Sequence, residues 1–508
     1  MASIAQGRSL WFAPTVGGLP ADAALLPYWL GAAFIKMLGR WLEPALAARI
    51  PFAMLLMLTL ALTWYGSYQL ARTQAAQPLP FAFGGEASAV DYARAIADGA
   101  VLALIASLGL LQLGHETTPE LAQLASVALF VYALAASPFR KLLSILAVLC
   151  ALPALAASGA PAIALALGLV GGLICQASSY APARQFVGWI ALSTLLACGA
   201  ASALGAWSWR IDPGTATFAG VWGLLRMLAW FTWPTWPLAA WTLWRWRSHL
   251  TDRHIAIPLG CTSVSLLACI SMGGSERALM LGLPPLAVLA AFALPTLQRR
   301  AAAAIDWLSL CLFTAAAIVI WVVYASMHTG TPAQPAINVA RLSPGYLPHF
   351  SPWALALAVT GTLAWLWLVK WRTGRNRHPL WKSLVLPASG VALCWLLVMT
   401  LLLPPLDHAR SYRPLVQSIA KWVPIDGCLA APGVSRALVI ALEQLGGYRV
   451  DAVTALVSTR CDYLVQSEAL DGSAAPSANW KFLVRERRSR NDDESTAAYR
   501  RTTTAAIR

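Results

Sequence analysis

The sequence predicts a polytopic α-helical membrane protein with about twelve transmembrane helices and a small C-terminal α/β domain. Hydrophobic residues make up 58% of its 508 residues and charged residues only 12%, whereas about 25% of the residues of a soluble protein are charged. The mean hydropathy is +0.62. After Pro405 the composition becomes polar and mixed. Lipid is therefore the main solvent of the chain as far as about residue 404.

A helix that crosses a membrane needs about 17–25 mostly apolar residues. Twelve segments approach or meet this requirement, and only Gly, Pro or Ser turns separate several of them. Their approximate ranges are 50–72, 98–114, 117–136, 141–158, 160–177, 185–208, 223–244, 255–272, 279–297, 303–326, 351–370 and 383–404. We therefore predict a transmembrane helical domain over residues 50–404.

The loop charges predict the orientation of these spans. With the N-terminus outside, the loops on the inside carry fifteen basic residues: Arg72, Arg94, Arg140, Lys141, Arg184, Arg245, Arg247, Arg253, Arg299, Arg300, Lys370, Arg372, Arg375, Arg377 and Lys382. The short outside loops carry Arg210, Arg277 and Arg341. This asymmetry indicates an even number of spans with both ends outside. It also accounts for the net charge of +15 without a nucleic-acid partner, which would need a basic patch on a soluble domain.

Residues 1–49 are predicted to form an extracytoplasmic loop that contains an interfacial helix. The stretch is punctuated by Pro and Gly, and its apolar helix of roughly 16 residues is short for a span. One alternative is that this helix is itself a first span, which gives thirteen spans and an N-terminus inside. The favoured hypothesis is that a further transmembrane helix precedes the sequence.

Residues 405–508 are predicted to form one extracytoplasmic α/β domain. SYRPLVQSIAKWV and GVSRALVIALEQLG have helical spacing, whereas DGCLAA, YRVDAV, CDYLVQ, WKFLVRE and TAAYRRT read as short strands. Cys428 and Cys461 each lie at the start of a predicted strand. Outside the cytoplasm they are a candidate disulfide, and the alternative is two unpaired buried thiols.

Ionisable groups at the edge of a span are functional candidates, because they are costly in lipid. The first group is His115, Glu116 and Glu120, at the outer turn before the third span. A helix starting near Thr117 would bring the two carboxylates together, which suits a divalent cation or a shared proton. The alternative is a helix cap, with Thr117 or Thr118 as the capping residue and Glu120 in the first turn.

Two arginines are candidates for binding phosphate. Arg226 is the single charge in its Trp-rich span, and its planar guanidinium suits a phosphate. Arg277 follows Glu276 just before an outer helix end, and a surface pair between these two neighbours is the alternative. No Walker loop, GxSxG, HExxH or GxGxxG followed by a helix stands out, so ATP hydrolysis, serine hydrolysis and zinc proteolysis have no motif to support them.

Several segments, in order, resemble the lipid A aminoarabinose transferases and the protein O-mannosyltransferases. The segment ALLPYWLGAAFIKMLGRWLEPALAARIP matches an apolar Tyr-Trp helix that ends at Gly and leads into a span. The matching residues are Tyr28, Trp29, Gly39, Ala48, Arg49 and Pro51. RALMLGLPPLAVLAAFAL and WFTWPTWPLAAW are similar to the Pro-rich and Trp-Pro-rich spans of that family.

The resemblance implies a GT-C fold of about thirteen spans in a bacterial inner membrane, with a periplasmic C-terminus. It implies a glycosyltransferase that takes a sugar from a polyprenyl-phosphate donor within the membrane lipids. The acceptor is a lipid or glycan such as lipid A or another cell-envelope component. Glu120 and Glu116 are the implied acid/base or metal residues, and a divalent cation is the candidate cofactor. Arg226, Arg277 and Arg49 are assigned to the donor phosphate, with His115 and Tyr28 as further site residues.

The sequence departs from this family in two places. The acidic residue that follows the family's first span has no counterpart, and Ala23-Ala24-Leu25-Leu26 replaces a Lys-Pro-Pro-Leu motif, with Asp22 nearby. A non-catalytic or diverged membrane scaffold is therefore one alternative. A transporter of lipid-linked saccharides is another, although internal repeats of the helix pattern, which would favour it, are not evident. A polysaccharide polymerase would carry a larger loop than residues 327–350.

Overall fold

The structure of the protein is a computed structural model. It describes residues 1–22, 24–77, 88–207, 218–373, 380–424, 427–456, 458–469, 479–487 and 494–502. Arg210, Arg375 and Arg377, which contribute to the predicted orientation, lie outside these ranges. The described chain forms two compact units, and three helices, over Arg299–Thr329, Pro352–Thr373 and Val385–Leu397, each contribute residues to both. The first unit contains Met1–Arg8, Asp22–Ala316 and Gly361–Trp395, and the second contains Ser9–Ala21, Ala317–Thr360 and Leu396–Arg508.

Helices dominate the chain, as predicted. In chain order they are α1 (Ala2–Ala5), α2 (Leu25–Leu38), α3 (Pro44–Ala71), α4 (Ala89–Ala106), α5 (Leu108–Leu113), α6 (Pro119–Ala136), α7 (Lys141–Ala157), α8 (Pro161–Gln176), α9 (Ala181–Gln185), α10 (Val187–Ala203), α11 (Phe218–Phe231), α12 (Thr235–Arg245), α13 (Arg253–Ser271), α14 (Glu276–Met280), α15 (Leu283–Ala291), α16 (Arg299–Thr329), α17 (Ala333–Leu342), α18 (Pro352–Thr373), α19 (Val385–Leu397), α20 (Leu403–Arg410), α21 (Arg413–Ala420) and α22 (Arg436–Leu445). A π turn over Val398–Leu402 joins α19 to α20.

Within the described residues, seven helical segments are long and apolar enough to cross a membrane: Pro44–Ala71, Pro119–Ala136, Ala181–Ala203, Arg253–Ser271, Arg300–Thr329, Pro352–Arg372 and Lys382–Arg410. Five further apolar helices have 10–17 residues: Leu25–Leu38, Lys141–Ala157, Pro161–Gln176, Gly220–Phe231 and Leu283–Thr296. The protein is therefore a multi-pass membrane protein, and the number of twelve spans stays a prediction.

Two of the predicted spans are each interrupted near the middle. The helix predicted over 98–114 divides at Ser107, whose backbone is extended, and the Leu108 N–H donates to the Trp233 carbonyl at 3.0 Å. The helix predicted over 223–244 divides at Pro234, between α11 and α12, because proline has no N–H to continue a helical ladder. The two breaks therefore meet, and this hydrogen bond satisfies one N–H of the first break and one carbonyl of the second.

Helices α3 and α6 of the first unit run side by side in the same direction. A Cβ at Gly66 of α3 would lie 3.6 Å from the Tyr132 Cα of α6. Near the N-terminal ends of the pair, Phe52 and Leu121 belong to one buried cluster. Near the C-terminal ends, the guanidinium of Arg72 lies 5.3 Å from the ring of Phe139. Consequently Arg49 and Glu120 share one end of this helix pair, and Arg72 and Arg140 share the other.

Arg253, predicted from the sequence to be a loop charge, is buried at the start of α13, with 5% of its surface exposed. One terminal nitrogen donates to the Leu134 carbonyl at 2.6 Å and to Ser137 Oγ at 3.1 Å, near the C-terminus of α6. The other donates to Ser178 Oγ at 3.2 Å, just beyond the end of α8. This side chain therefore fastens two helix ends to a third helix.

The second unit contains a mixed five-stranded sheet, which confirms the strands predicted for the C-terminal region. Its strands are β3 (Cys428–Ala430), β4 (Arg449–Asp451), β5 (Tyr463–Ala469), β6 (Trp480–Glu486) and β7 (Glu494–Arg501), in the order β4-β3-β5-β7-β6. Strand β3 is parallel to both neighbours, whereas β7 is antiparallel to β5 and β6. Cys428 and Cys461 form a disulfide with a Cα–Cα distance of 4.9 Å, as proposed from the sequence.

The N-terminal segment contributes a short hairpin to the second unit. Strands β1 (Thr15–Val16) and β2 (Leu19–Pro20) pair through a turn at Gly17 and Gly18, both of which have positive φ. The Gly17 N–H donates to a carboxylate oxygen of Glu443 at 2.9 Å, and its carbonyl accepts from the Ala452 N–H at 2.9 Å. A Cβ at Gly17 would lie 2.6 Å from Val439. Glycine is therefore required here for both conformation and space.

Candidate functional site

The candidate site lies in the first unit, where the α5–α6 turn meets α14. Helix α5 ends at Leu113 and α6 begins at Pro119, later than the start near Thr117 that the sequence predicts. Glu116 therefore lies in the turn, and Glu120 lies in the first turn of α6. Helix α14 begins after Ser275, whose hydroxyl accepts from the Ala278 N–H at 3.4 Å. This cap places Arg277 at the start of the short helix.

Arg277 joins the two glutamates. Its Nη1 donates to Glu120 Oε2 at 3.0 Å, and its Nη2 donates to Glu116 Oε2 at 3.0 Å. The exposed side-chain fractions are 45% for Arg277, 34% for Glu116 and 22% for Glu120, so a ligand can reach all three groups. The guanidinium, rather than helical spacing, holds the carboxylates together.

A third carboxylate belongs to the same surface. Glu276 Oε2 accepts from Gln112 Nε2 of α5 at 2.6 Å, so the pair between Glu276 and Arg277 considered from the sequence is replaced by contacts to α5 and α6. Arg277 thus contacts two carboxylates, Glu276 beside it in the chain adds a third, and the charge of the cluster is negative. Gln112 is a member that the sequence did not indicate, because a lone glutamine in an apolar helix has no motif.

The other residues of the predicted turn make fewer polar contacts than the two glutamates. His115 is exposed, and its Nδ1 lies 3.2 Å from the Leu111 carbonyl. Its ring centroid is 6.4 Å from that of Trp395. Thr118 occupies the N-cap position of α6 without a side-chain hydrogen bond. Glu120 therefore lies in the first turn of α6, as the helix-cap alternative predicts, and its carboxylate also contacts Arg277.

Helix α11, which carries Arg226, packs beside this cluster. A Cβ at Gly109 of α5 would lie 2.3 Å from the ring of Phe231, so glycine permits the close approach of α5 and α11. At the turn between α13 and α14, a Cβ at Gly274 would lie 3.6 Å from Leu224 of α11. Arg226 is exposed, and among the described residues it has no ion-pair partner.

Arg49 and Tyr28 lie on neighbouring helices. Arg49 is exposed on α3, about one turn before Phe52, at the end of the α3–α6 pair that carries Glu120. In the part of the chain that the structure describes, it also has no ion-pair partner. Tyr28 is half-buried on α2, which packs against α3. The structure thus positions Arg49 near the level of the acidic cluster without joining it to the glutamates.

An apolar cavity of about 260 Å³ lies close to the same elements. It is lined by the end of α4, the break between α11 and α12, the start of α12, and parts of α16 and α19, including Ala106, Trp233, Leu238, Leu312 and Pro387. Gln112 follows Ala106 by six residues, and helix α5, which connects them, is about 9 Å long at 1.5 Å per residue. The cavity and the acidic cluster are therefore neighbours.

The donors at this site fit a divalent cation poorly. Among the residues described, no group of three or more His, Cys, Asp or Glu side chains converges as a metal site. Both carboxylates that the sequence assigned to a metal already contact Arg277. A cation would have to compete with the guanidinium for these carboxylate oxygens.

The apolar helices define the chain as a multi-pass membrane protein, and its fold is the GT-C fold that the sequence resemblance predicts. Comparison with solved structures finds this fold in ArnT from Cupriavidus metallidurans. The structure of ArnT bound to undecaprenyl phosphate has a TM-score of 0.59 to this chain, and its apo structure has a TM-score of 0.57. Each is 14% identical to this chain, and each comparison covers 98% of this chain and 91% of that one. No family model and no curated protein matches the sequence significantly.

Proposed function

We propose that the protein is a bacterial inner-membrane glycosyltransferase that moves a sugar from a polyprenyl-phosphate donor to an extracytoplasmic acceptor. The acceptor is lipid A or a cell-envelope glycan, and the C-terminal region, residues 405–508, lies on the periplasmic side. The observation that carries the proposal is the bridge between Glu116, Arg277 and Glu120. It lies in a fold shared with ArnT, a protein whose crystals contain undecaprenyl phosphate.

The proposed reaction needs a base and a means of stabilising the leaving phosphate. The acceptor oxygen forms a bond to the anomeric carbon of the sugar, and the bond from that carbon to the donor phosphate oxygen breaks. The acceptor proton passes to Glu120, the less exposed of the two bridged carboxylates. Polyprenyl phosphate leaves, and its developing charge requires a nearby cation.

The charges around the acidic cluster indicate which arginines bind the donor phosphate and which one positions the glutamates. Arg277 is already neutralised by two carboxylates, and Glu276 adds a third acidic group. A phosphate would be repelled there, so we assign the donor phosphate to Arg226 and Arg49, and Arg277 becomes a positioning residue. The apolar cavity beside α5 suits the first isoprene units of a polyprenyl tail. Because the donor is a lipid, no nucleotide-binding loop is required.

The direct test is a transfer assay with the purified full-length protein. It is incubated with undecaprenyl-phosphate-linked aminoarabinose or hexose and with lipid A, and the release of undecaprenyl phosphate is measured. We expect release that depends on the acceptor. Donor binding without release would favour a scaffold, and donor movement across a vesicle membrane without bond cleavage would favour a transporter. Either outcome would overturn the glycosyltransferase proposal.

Replacing Arg277 tests its positioning role. We expect Arg277→Gln to lower kcat by about 10- to 100-fold with little change in KM, because misplaced catalytic groups of this kind cost about that much. Arg277→Lys should restore part of the loss, since a lysine keeps the charge but lacks the planar fork that holds two carboxylates. The midpoint of thermal unfolding should barely move, because partly exposed ion pairs contribute under about 1 kcal/mol.

The matched control is Arg341→Gln, a change of the same kind at an exposed arginine of α17. It should leave both kcat and KM at the wild-type values. If Arg277→Gln instead raised KM alone, Arg277 would be a substrate-binding residue, and the donor phosphate would have to be reassigned to it.

A further inference from the structure

A second charged site lies at the end of helix α6 that is remote from Glu120. A surface cavity of about 470 Å³ is lined by Arg72, Phe139, Arg140, Lys141, Leu142 and Leu143. Helix α6 has 18 residues, which at 1.5 Å per residue corresponds to about 27 Å. The cavity is therefore separated from the acidic cluster by roughly the hydrocarbon thickness of a bilayer.

The lining combines three cations with a helix start. Arg72, Arg140 and Lys141 are exposed, and none of the described lining residues is acidic. Arg72 is held by contacts of its guanidinium to the rings of Tyr68, at 5.5 Å, and Phe139, at 5.3 Å. Its charge is thereby positioned at the cavity, although it has no carboxylate partner there.

The start of α7 adds backbone donors to this cavity. Arg140 is its N-cap residue, and no side chain caps the helix. The Ser144 N–H donates to the Arg140 carbonyl, so the N–H groups of the three preceding residues, Lys141 to Leu143, are the ones without a helical acceptor. These residues line the cavity. Backbone N–H groups of this kind, together with arginine and lysine side chains, are the usual ligands of a phosphate group.

Exposed leucines continue from the cavity along α7. Leu142, Leu143 and Leu146 are 69%, 46% and 52% exposed. Leu142 and Leu146 are four residues apart and share one face of the helix. Such a face within a span contacts acyl chains. The site therefore presents cations and backbone donors at the helix end and an apolar surface beyond them, which is the order of groups in a phospholipid.

We propose that this cavity binds the headgroup of an anionic phospholipid, with its phosphate at Arg72, Arg140 and Lys141 and its acyl chains along Leu142 and Leu146. The predicted orientation puts the cavity on the cytoplasmic side, where anionic lipids attract basic groups next to spans. The volume is within the range of about 300–1,000 Å³ that is usual for small-ligand sites. The proposal is independent of the glycosyltransferase function, because the cavity does not include the acidic cluster.

The test uses the full-length protein in detergent and native mass spectrometry. Phosphatidylglycerol is titrated into wild-type protein, into the triple variant Arg72→Gln, Arg140→Gln, Lys141→Gln, and into a control variant. The control, Arg245→Gln, Arg247→Gln, Arg300→Gln, removes the same number of exposed charges from other loops on the same predicted side. Phosphatidylcholine with the same acyl chains and free glycerol 3-phosphate are the comparison ligands.

We expect the tightest phosphatidylglycerol binding to weaken on the order of 100-fold in the triple variant, since each basic group near an anionic lipid contributes about fivefold. The control should remain within about twofold. Equal losses in both variants, or equal binding of phosphatidylcholine, would overturn the proposal. Binding of glycerol 3-phosphate as tight as that of the lipid would make this a free-phosphate site and would also overturn it.

If the triple variant does not elute as a monodisperse protein, the single variant Lys141→Gln tests the phospholipid site in its place. Lys141→Gln changes an exposed first residue of α7 and should weaken phosphatidylglycerol binding about fivefold. Unchanged binding in Lys141→Gln would then contradict the assignment.

Discussion

Glu120→Gln is expected to reduce sugar transfer by about 10²- to 10⁴-fold, the contribution usual for a general base. Glutamine has the shape of glutamate and can still accept a hydrogen bond from Arg277, but it cannot take the acceptor proton. Little stability should be lost, since the ion pair is partly exposed and pairs of this kind contribute under about 1 kcal/mol. The measurement is kcat for release of undecaprenyl phosphate, together with the thermal unfolding midpoint of the same preparation.

Glu43→Gln is the matched control for this variant. Glu43 is exposed at the start of α3, and its side chain makes no capping hydrogen bond. Transfer by Glu43→Gln should equal that of the wild type. If Glu120→Gln kept full activity while Glu116→Gln lost it, the base would be Glu116, the more exposed partner. If both variants remained active, the bridge would have no part in transfer.

The residues of the candidate site can be predicted in part from the sequence, because ionisable residues at the edges of apolar spans are rare. The positions of Glu116, Glu120 and Arg277 in the sequence indicate them as candidates for this reason. The contacts between these residues cannot be predicted from the sequence, since 157 residues separate Arg277 from Glu120 and 161 separate it from Glu116. The later start of α6 also prevents the helical pairing of the two glutamates that the sequence suggests.

In the fold, too, the local elements can be predicted from the sequence, whereas the contacts between distant segments cannot. Apolar length predicts the long helices, and alternating short segments predict the strands of the C-terminal region. The breaks at Ser107 and Pro234 are accompanied by a hydrogen bond between residues far apart in the chain. The hydropathy pattern contains no sign of this contact, so it predicts one continuous span in each place. The strand order β4-β3-β5-β7-β6 is likewise determined by packing, because each short strand could pair with several others.

A count of the basic residues between predicted spans does not distinguish a solvated loop charge from a buried one. Arg253 contributes to the positive-inside asymmetry in the sequence, yet its side chain is almost completely enclosed by the structure. The side chains that enclose it come from helix ends more than 70 residues away in the chain, as the separations of 75 and 116 residues to Ser178 and Ser137 show. Its role is therefore visible only after α6, α8 and α13 have been packed.

Arg253→Met is expected to lower the free energy of unfolding by about 3 kcal/mol, the balance of two opposing terms. Three hydrogen bonds from a charged donor are lost, each contributing about 1.5–3 kcal/mol. Removing the guanidinium also relieves its desolvation, an effect that returns about 1–4 kcal/mol when buried ion pairs are replaced by apolar residues. The hydrogen bonds should prevail, because the Leu134 carbonyl and the Ser178 hydroxyl lie at helix ends that water does not reach easily.

The comparison variant is Arg184→Met, which removes an exposed arginine whose Nη1 donates at 3.1 Å to the carbonyl of the same Ser178. Its loss should cost under about 1 kcal/mol, since water can replace a single exposed hydrogen bond. Reversible unfolding in mixed micelles at increasing denaturant measures both variants. An Arg253→Met protein as stable as the wild type would mean that the desolvation of the guanidinium offsets its hydrogen bonds completely. The link between α6, α8 and α13 would then contribute to the specificity of packing rather than to its strength.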